Sequence, residues 1–227
     1  MNERIRRAII AVLSLVVLAV IVFQTSPPDT TIINPPSAIP SGSGMASTTL
    51  ETLVVKGRAA TTGYTRDQFG SGWSTVDGCD TRNIILNRDL QNPVLDEECR
   101  VVSGTLNDVY TAKVINFTKE DSSTIQIDHV IALSDAWQKG AQQLTRQMRV
   151  QLANDPLELI AVDGASNQEK GDGDAATWLP SNISFRCQYV ARQIAVKQKY
   201  TLWVTGAEKQ AMKDILNTCP KQDLPTP

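Results

Sequence analysis

The chain contains a single histidine, His129, placed directly after Asp128 inside an otherwise apolar run, Ile125 to Leu133 (IQIDHVIAL). Packing alone does not explain that pair, because a buried carboxylate is costly unless it is paired or bound to a metal. An imidazole titrates near neutrality and serves either as a proton-transfer group or, more often for a lone histidine, as a structural hydrogen-bonding group. Two asparagines follow downstream. Asn154 opens Asn154-Asp155-Pro156-Leu157, and Asn167 opens Asn167-Gln168-Glu169-Lys170-Gly171-Asp172. If this last segment is helical, Asn167 and Lys170 lie one turn apart and share a face.

These residues need elements to hold them. Ile125 to Leu133 reads as a strand, Ser134 to Leu152 as containing a helical stretch with Trp137, Ala141, Leu144 and Met148 on one face, and Leu157 to Val162 as a second strand closed by Asp163-Gly164. Ala165 to Lys170 then starts a helix. Neighbours in a regular strand point to opposite faces, so Asp128 and His129 serve one site only if the backbone bulges or bends there, and that irregularity is predicted. Upstream, Thr49 to Ala60 reads as a short amphipathic helix, Asp80 as the N-cap of a helix running to Leu90, and Cys99 to Val102 and Val109 to Phe117 as strands around an Asn107-Asp108 turn. Ser184 to Thr205 and Ala207 to Leu216 read as the closing helices.

Asp128-His129-Val130-Ile131-Ala132-Leu133 with Ala136-Trp137, then Asn154-Asp155-Pro156-Leu157, then Asn167-x-x-Lys170-Gly171-Asp172, resemble the HNH (ββα-metal, His-Me finger) endonucleases, and in particular the GmrSD C-terminal-like family of exported bacterial proteins. Tyr64-Thr65-Arg66-Asp67-Gln68-Phe69-Gly70, Gly78-Cys79-Asp80-Thr81-Arg82-Asn83 and Arg88-Asp89-Leu90 resemble that family's N-terminal part, so the likeness runs from about Tyr64 to Pro180. It departs from many HNH enzymes in having Asn167 where they have a histidine.

The resemblance implies an α+β fold with a ββα-metal core and helical and loop extensions. It implies hydrolysis of DNA phosphodiesters, and of RNA as a further option, with low sequence specificity. Such hydrolysis needs a nucleophilic water, a base for its proton and a cation to stabilise the phosphorane and the departing oxygen. His129 would be the base. Asp128 and Asn167 would supply oxygens to one Mg²⁺ or Mn²⁺, hard ions for which an amide oxygen is a good ligand. Asn154 would tie the loop between the strands in an orienting role. Lys170 would touch a phosphate or the leaving group, or else be a solvated surface lysine. Arg66, Arg82 and Arg88 would contact the nucleic-acid backbone, or pair with Asp67, Asp80 and Asp89. Glu158 points into the site or to solvent. Trp73, Trp137 and Trp178 read as core or loop anchors, and Asp172-Gly173-Asp174 lacks the spacing of a calcium loop. The alternative from another class is a catalytically inactive membrane-tethered interaction module with the same fold.

The 227 residues, 41% hydrophobic and 20% charged, suffice for an ordinary domain and exclude a wholly disordered or fibrous chain. Ala8 to Phe23 is apolar apart from Ser14 and follows Arg4, Arg6 and Arg7, which predicts a signal or an anchor crossing the cytoplasmic membrane; no A-x-A-like cleavage pattern follows, which favours the uncleaved anchor over a secreted product. Residues 24–48, rich in Pro, Ser, Gly and Thr, form a linker, and residues 49–227 the folded domain. Three arginines against Glu3 and Asp29 leave +1 on residues 1–48, so the formal net charge of −2 leaves −3 on the remainder. A sequence-independent grip on nucleic acid by bulk charge is therefore excluded, and phosphate binding must be local. Cys79, Cys99, Cys187 and Cys219 all lie beyond the anchor, where disulfides are expected; four cysteines allow three pairings, and Cys79 with Cys99 and Cys187 with Cys219 close the local loops. A monomer is expected.

Overall fold

The computed structural model describes residues 45–225. The expected anchor at 1–23 and the linker up to residue 44 lie outside the described residues. Among those described, no helix is long and apolar enough to cross a membrane.

The domain is a mixed α+β fold with small antiparallel sheets. Helix α1 (Ala46–Thr52) begins three residues before the expected start, and irregular chain follows it. A 3₁₀ turn (Arg66–Phe69) precedes a loop and a minimal hairpin, β1 (Thr75–Val76) with β2 (Cys79–Asp80). Asp80 caps α2 (Thr81–Asp89) by accepting from the Asn83 N–H at 2.8 Å, as its position before the apolar-periodic residues predicts. Three strands, β3 (Gln91–Leu95), β4 (Val101–Asn107) and β5 (Val114–Thr118), form a meander in the order β3-β4-β5. The cysteines pair as expected, Cys79 with Cys99 and Cys187 with Cys219. The first bridge ties the β1–β2 hairpin to the β3–β4 turn.

A second hairpin carries the chemistry. Strand β6 (Ile125–His129) pairs with β7 (Leu159–Asp163) from Ile125 opposite Asp163 to His129 opposite Leu159. The helical stretch expected between them is divided into α3 (Leu133–Gln138), a 3₁₀ turn and α4 (Arg146–Ala153). The physical reason is Gly140, at φ 124°, a backbone conformation no helix continues through. Thr145 then caps α4 by accepting from the Met148 N–H. Asp163 caps α5 (Gly164–Lys170), which lies against both strands. A Cβ at Gly164 would overlap the Ser123 carbonyl oxygen, so glycine lets α5 start flush on the hairpin. The long C-terminal helix is shorter than expected, α6 (Arg186–Lys199), and α7 (Gly206–Leu216) begins with a Thr205/Glu208 capping box.

The β6–β7 hairpin separates two cores. Ile125, Ile127, Leu159 and Ala161 face a core made with Ile85, Leu86, Leu106 and Phe117, while Ile160 and Val162 face the larger helical core of α1, α3, α4, α6 and α7. The strand period of two thus fixes which face each polar residue of β6 uses: His129 shares the face of Ile127, and Gln126 shares that of Asp128.

Candidate active site

His129 ends β6 with 7% of its surface exposed. Its Nε2 lies 3.0 Å from the Ala153 carbonyl oxygen at the end of α4. A carbonyl only accepts, so Nε2 carries the proton and Nδ1 keeps its lone pair. The Trp73 indole stacks on the ring, centroids 5.7 Å apart and planes 7° from parallel. Burial pushes the His129 pKa down to about 3; the Ala153 carbonyl opposes this, and the positive charges of Arg66 and Lys170 reinforce it. The ring is a neutral imidazole through the physiological range.

Asp128, 4% exposed, leaves the opposite face of the strand. Its Oδ1 accepts from the Lys170 ammonium at 2.8 Å and its Oδ2 from the Tyr110 hydroxyl. Lys170 also donates to the His129 carbonyl at 2.8 Å. With only 3% exposure Lys170 is not a surface lysine: its ammonium pairs with Asp128 against the hairpin. The predicted bulge between Asp128 and His129 is also absent. The ladder keeps its register through His129 and continues in the Val130 N–H, which donates to the Glu158 carbonyl at 2.9 Å. The two side chains nevertheless line one cleft.

The cleft encloses about 450 Å³ and is lined by Arg66, Arg82, Gln126, Asp128, His129 and Asn167 among others. A smaller cavity of about 130 Å³ adjoins it and shares Arg66, Trp73 and His129. Asn167 donates from Nδ2 to Gln126 Oε1 at 2.9 Å, which orients the amide and leaves Oδ1 without a hydrogen-bond partner among the described residues. Arg66 is exposed and makes no ion pair among the described residues, whereas Arg82 donates to the carbonyls of Ser122 (3.2 Å) and Ile125 (3.3 Å). Burial lowers the Arg82 pKa, with Asp80 opposing.

Other expected residues lie outside the cleft. Arg88 takes the ion-pair alternative: it grips Asp89 through two bonds of 2.6 and 2.8 Å and donates to the carbonyls of Pro156 and Leu159, joining α2 to β7. Asn154 ties the loop carrying Trp73, accepting at Oδ1 from the Ser74 N–H at 2.8 Å and donating from Nδ2 to the Val150 carbonyl at 2.9 Å. Glu158 points neither into the cleft nor to solvent. It is fully buried and accepts from the Ile131 N–H, fixing the turn after β6, and burial pushes its pKa well above the usual range against the pull of Lys170. Asp174 holds Lys139 and Arg58 at 2.7 Å each, so the Asp-Gly-Asp segment closes an internal ion-pair network. Tyr110, Gln126 and the Ala153 carbonyl escape the sequence reading. Only Gln126 leaves a signal, standing two residues before Asp128 and so on its face.

Among the described residues no group of three His, Cys, Asp or Glu side chains is gathered as a metal site. The donors bordering the cleft are of another kind, one carboxylate and one amide oxygen. Each Asp128 oxygen accepts one hydrogen bond and retains further lone-pair capacity, and Asn167 Oδ1 is unengaged. A small hard dication that keeps most of its waters fits such a set.

Residues 80–215 match the family described as GmrSD restriction endonucleases, C-terminal domain. The chain belongs to this family. A relative from Arthroderma benhamiae, described as an "Uncharacterized secreted protein", is 40% identical over 207 residues, covering 90% of this chain and 97% of the relative. No solved structure matches significantly. Membership assigns the domain a nuclease-related role with nucleic acid as its substrate class, and nucleases of this kind generally use divalent metals. The family match spans Asp128, His129, Asn154 and Asn167, the residues around which the cleft and its supporting loop are built.

Proposed function

We propose that the domain is a metal-dependent endonuclease with a ββα-metal core formed by β6, β7 and α5, hydrolysing DNA phosphodiesters with low sequence specificity outside the cytoplasm. The observation that carries this reading is a single cleft bordered by an imidazole with an unprotonated Nδ1, two oxygen donors and two arginines. Asp128 and Asn167 would hold Mg²⁺ or Mn²⁺, which when bound supplies charge stabilisation to the reacting phosphate and the leaving oxygen.

The chain's own groups supply the remainder. His129 Nδ1 accepts a proton from the attacking water, and the Ala153 carbonyl stays bonded to Nε2–H as the ring gains charge. Arg66, exposed at the cleft wall, binds the phosphate; in doing so its charge is neutralised, which removes one of the influences holding the His129 pKa low. Lys170 holds the Asp128 carboxylate in place from behind. Arginines that contact phosphate carry no base information, hence the low specificity. An oxidising exterior suits the two disulfides and accords with the secreted relative.

A second reading, an inactive interaction module, draws on the Lys170 ammonium, which sits where a cation's charge would act on Asp128. Supercoiled plasmid separates the two. In Mg²⁺ the purified protein is expected to give nicked and then linear DNA, and EDTA is expected to stop it; intact plasmid in both conditions establishes the inactive module.

A further inference from the structure

The imidazole of His129 is held at its edge by Ala153 and at its face by Trp73, and both restraints come from the same end of α4. Ala153 supplies the carbonyl that holds Nε2, and the next residue, Asn154, holds the Ser74 N–H at 2.8 Å. The Ser74 carbonyl in turn accepts from the Thr81 N–H at 2.8 Å and the Thr81 hydroxyl at 2.9 Å, at the start of α2. The residue after Trp73 is thus pinned through both of its backbone polar groups, and the Cys79–Cys99 bridge fastens the hairpin beyond it. Trp73 is only half-buried: it packs against the edge of the core formed by Ile127, Leu159 and Ile85, and it borders both cavities beside His129.

We propose that Trp73 is a positioning residue for catalysis, its indole face fixing the plane of the His129 ring so that Nδ1 is held ready for the water. The inference rests on His129 being the base. The χ2 torsion of histidine is broad, so one hydrogen bond at Nε2 leaves the ring free to rock about that bond. A stack within 7° of parallel removes the remaining freedom. Because Trp73 acts on the base rather than on the substrate, its removal reads out in kcat and not in KM. Misplacement of a reacting group by about an ångström costs roughly a hundredfold, so a rocking ring is expected to lower kcat at least about tenfold.

His129 is the one histidine of the chain, so its ring protons form a single identifiable set in the NMR spectrum of the full protein. In the wild type they are expected upfield of free imidazole, shifted by the indole ring current. Trp73→Leu is expected to abolish that shift and to lower kcat for plasmid nicking in Mg²⁺ at least about tenfold, with KM within about twofold. Trp73→Phe, which keeps an aromatic face and serves if the leucine variant does not fold, is expected to retain an upfield shift and a kcat within about threefold of wild type. Unshifted ring protons in the wild type overturn the stack. A lost shift with unchanged kcat overturns the positioning role, as does a rise in KM alone, which makes Trp73 a substrate platform. A wild type that shows the shift but does not cut DNA overturns the nuclease reading and the catalytic role together, while the stack itself stands.

Discussion

A neutral imidazole buried among fixed contacts has a thermodynamic signature separate from its chemistry. The His129 pKa is about 3 in the folded chain, against about 6.5 for an unfolded histidine. Between these values the unfolded chain binds the proton more readily, so the ring's contribution is intact above about pH 6.5 and is lost as the pH falls through that window. Denaturant titrations at pH 7 and pH 5 are expected to show a loss on the order of 2 kcal/mol attributable to this residue, absent in His129→Gln. Equal pH slopes for the two chains contradict the buried neutral ring. Lys170 gives a second residue-scale expectation. Lys170→Met leaves the Asp128 carboxylate buried without its counter-charge and should cost about 3 kcal/mol in thermal denaturation, most of it recovered in the double variant with Asp128→Asn. The motif residues of the cleft were legible because their types and order are chemically unusual. The partners of Asp128 were not: a seven-residue helix does not announce which face it buries, so Lys170 read as a phosphate contact or a surface lysine, and Tyr110, expected in a strand from Val109 to Phe117, lies in the turn before β5, which starts only at Val114.

The elements that hold these residues depend on a few local devices. Gly164 allows α5 to begin against the Ser123 carbonyl, and α5 carries Asn167 and Lys170. Gly164→Ala should push that helix off the hairpin and destabilise the fold by about 2 kcal/mol, measured by denaturant unfolding, with the cleavage rate falling as well. An unchanged midpoint shows that the contact can give way. The helix start at Asp80 was legible because side-chain capping is local chemistry, whereas Asp163 read only as a turn closing a strand and Thr205 as the end of the preceding helix, although both cap the helices that follow them. Strand β3 was not recognised: Pro93 and the positive φ of Asn92 break its pattern, and it survives because it is an edge strand whose proline need not donate to a neighbour. The break at Gly140 was obscured by apolar residues that keep helical spacing across it.

At the scale of the whole molecule, the helical core is laced by charges from distant parts of the chain. Lys139 meets Asp135, Asp174 and Glu208 at 2.7 to 2.8 Å, Arg58 bridges Asp135 and Asp174, and Lys197 meets Glu208 at 3.0 Å. Three cations balance three carboxylates, a solution that long-range packing finds and local spacing does not reveal. The network joins α3, α6 and α7 into the scaffold behind the β6–β7 hairpin. On that scaffold the cleft depends on His129 acting as a base, and the most direct measurement is the initial rate of plasmid nicking in Mg²⁺ by the wild type and by His129→Ala, both checked for folding and for Mn²⁺ binding. Removal of a general base is expected to slow nicking at least about a hundredfold while the ion still binds. Equal rates from the two proteins would contradict the assignment of His129 and of the cleft around it.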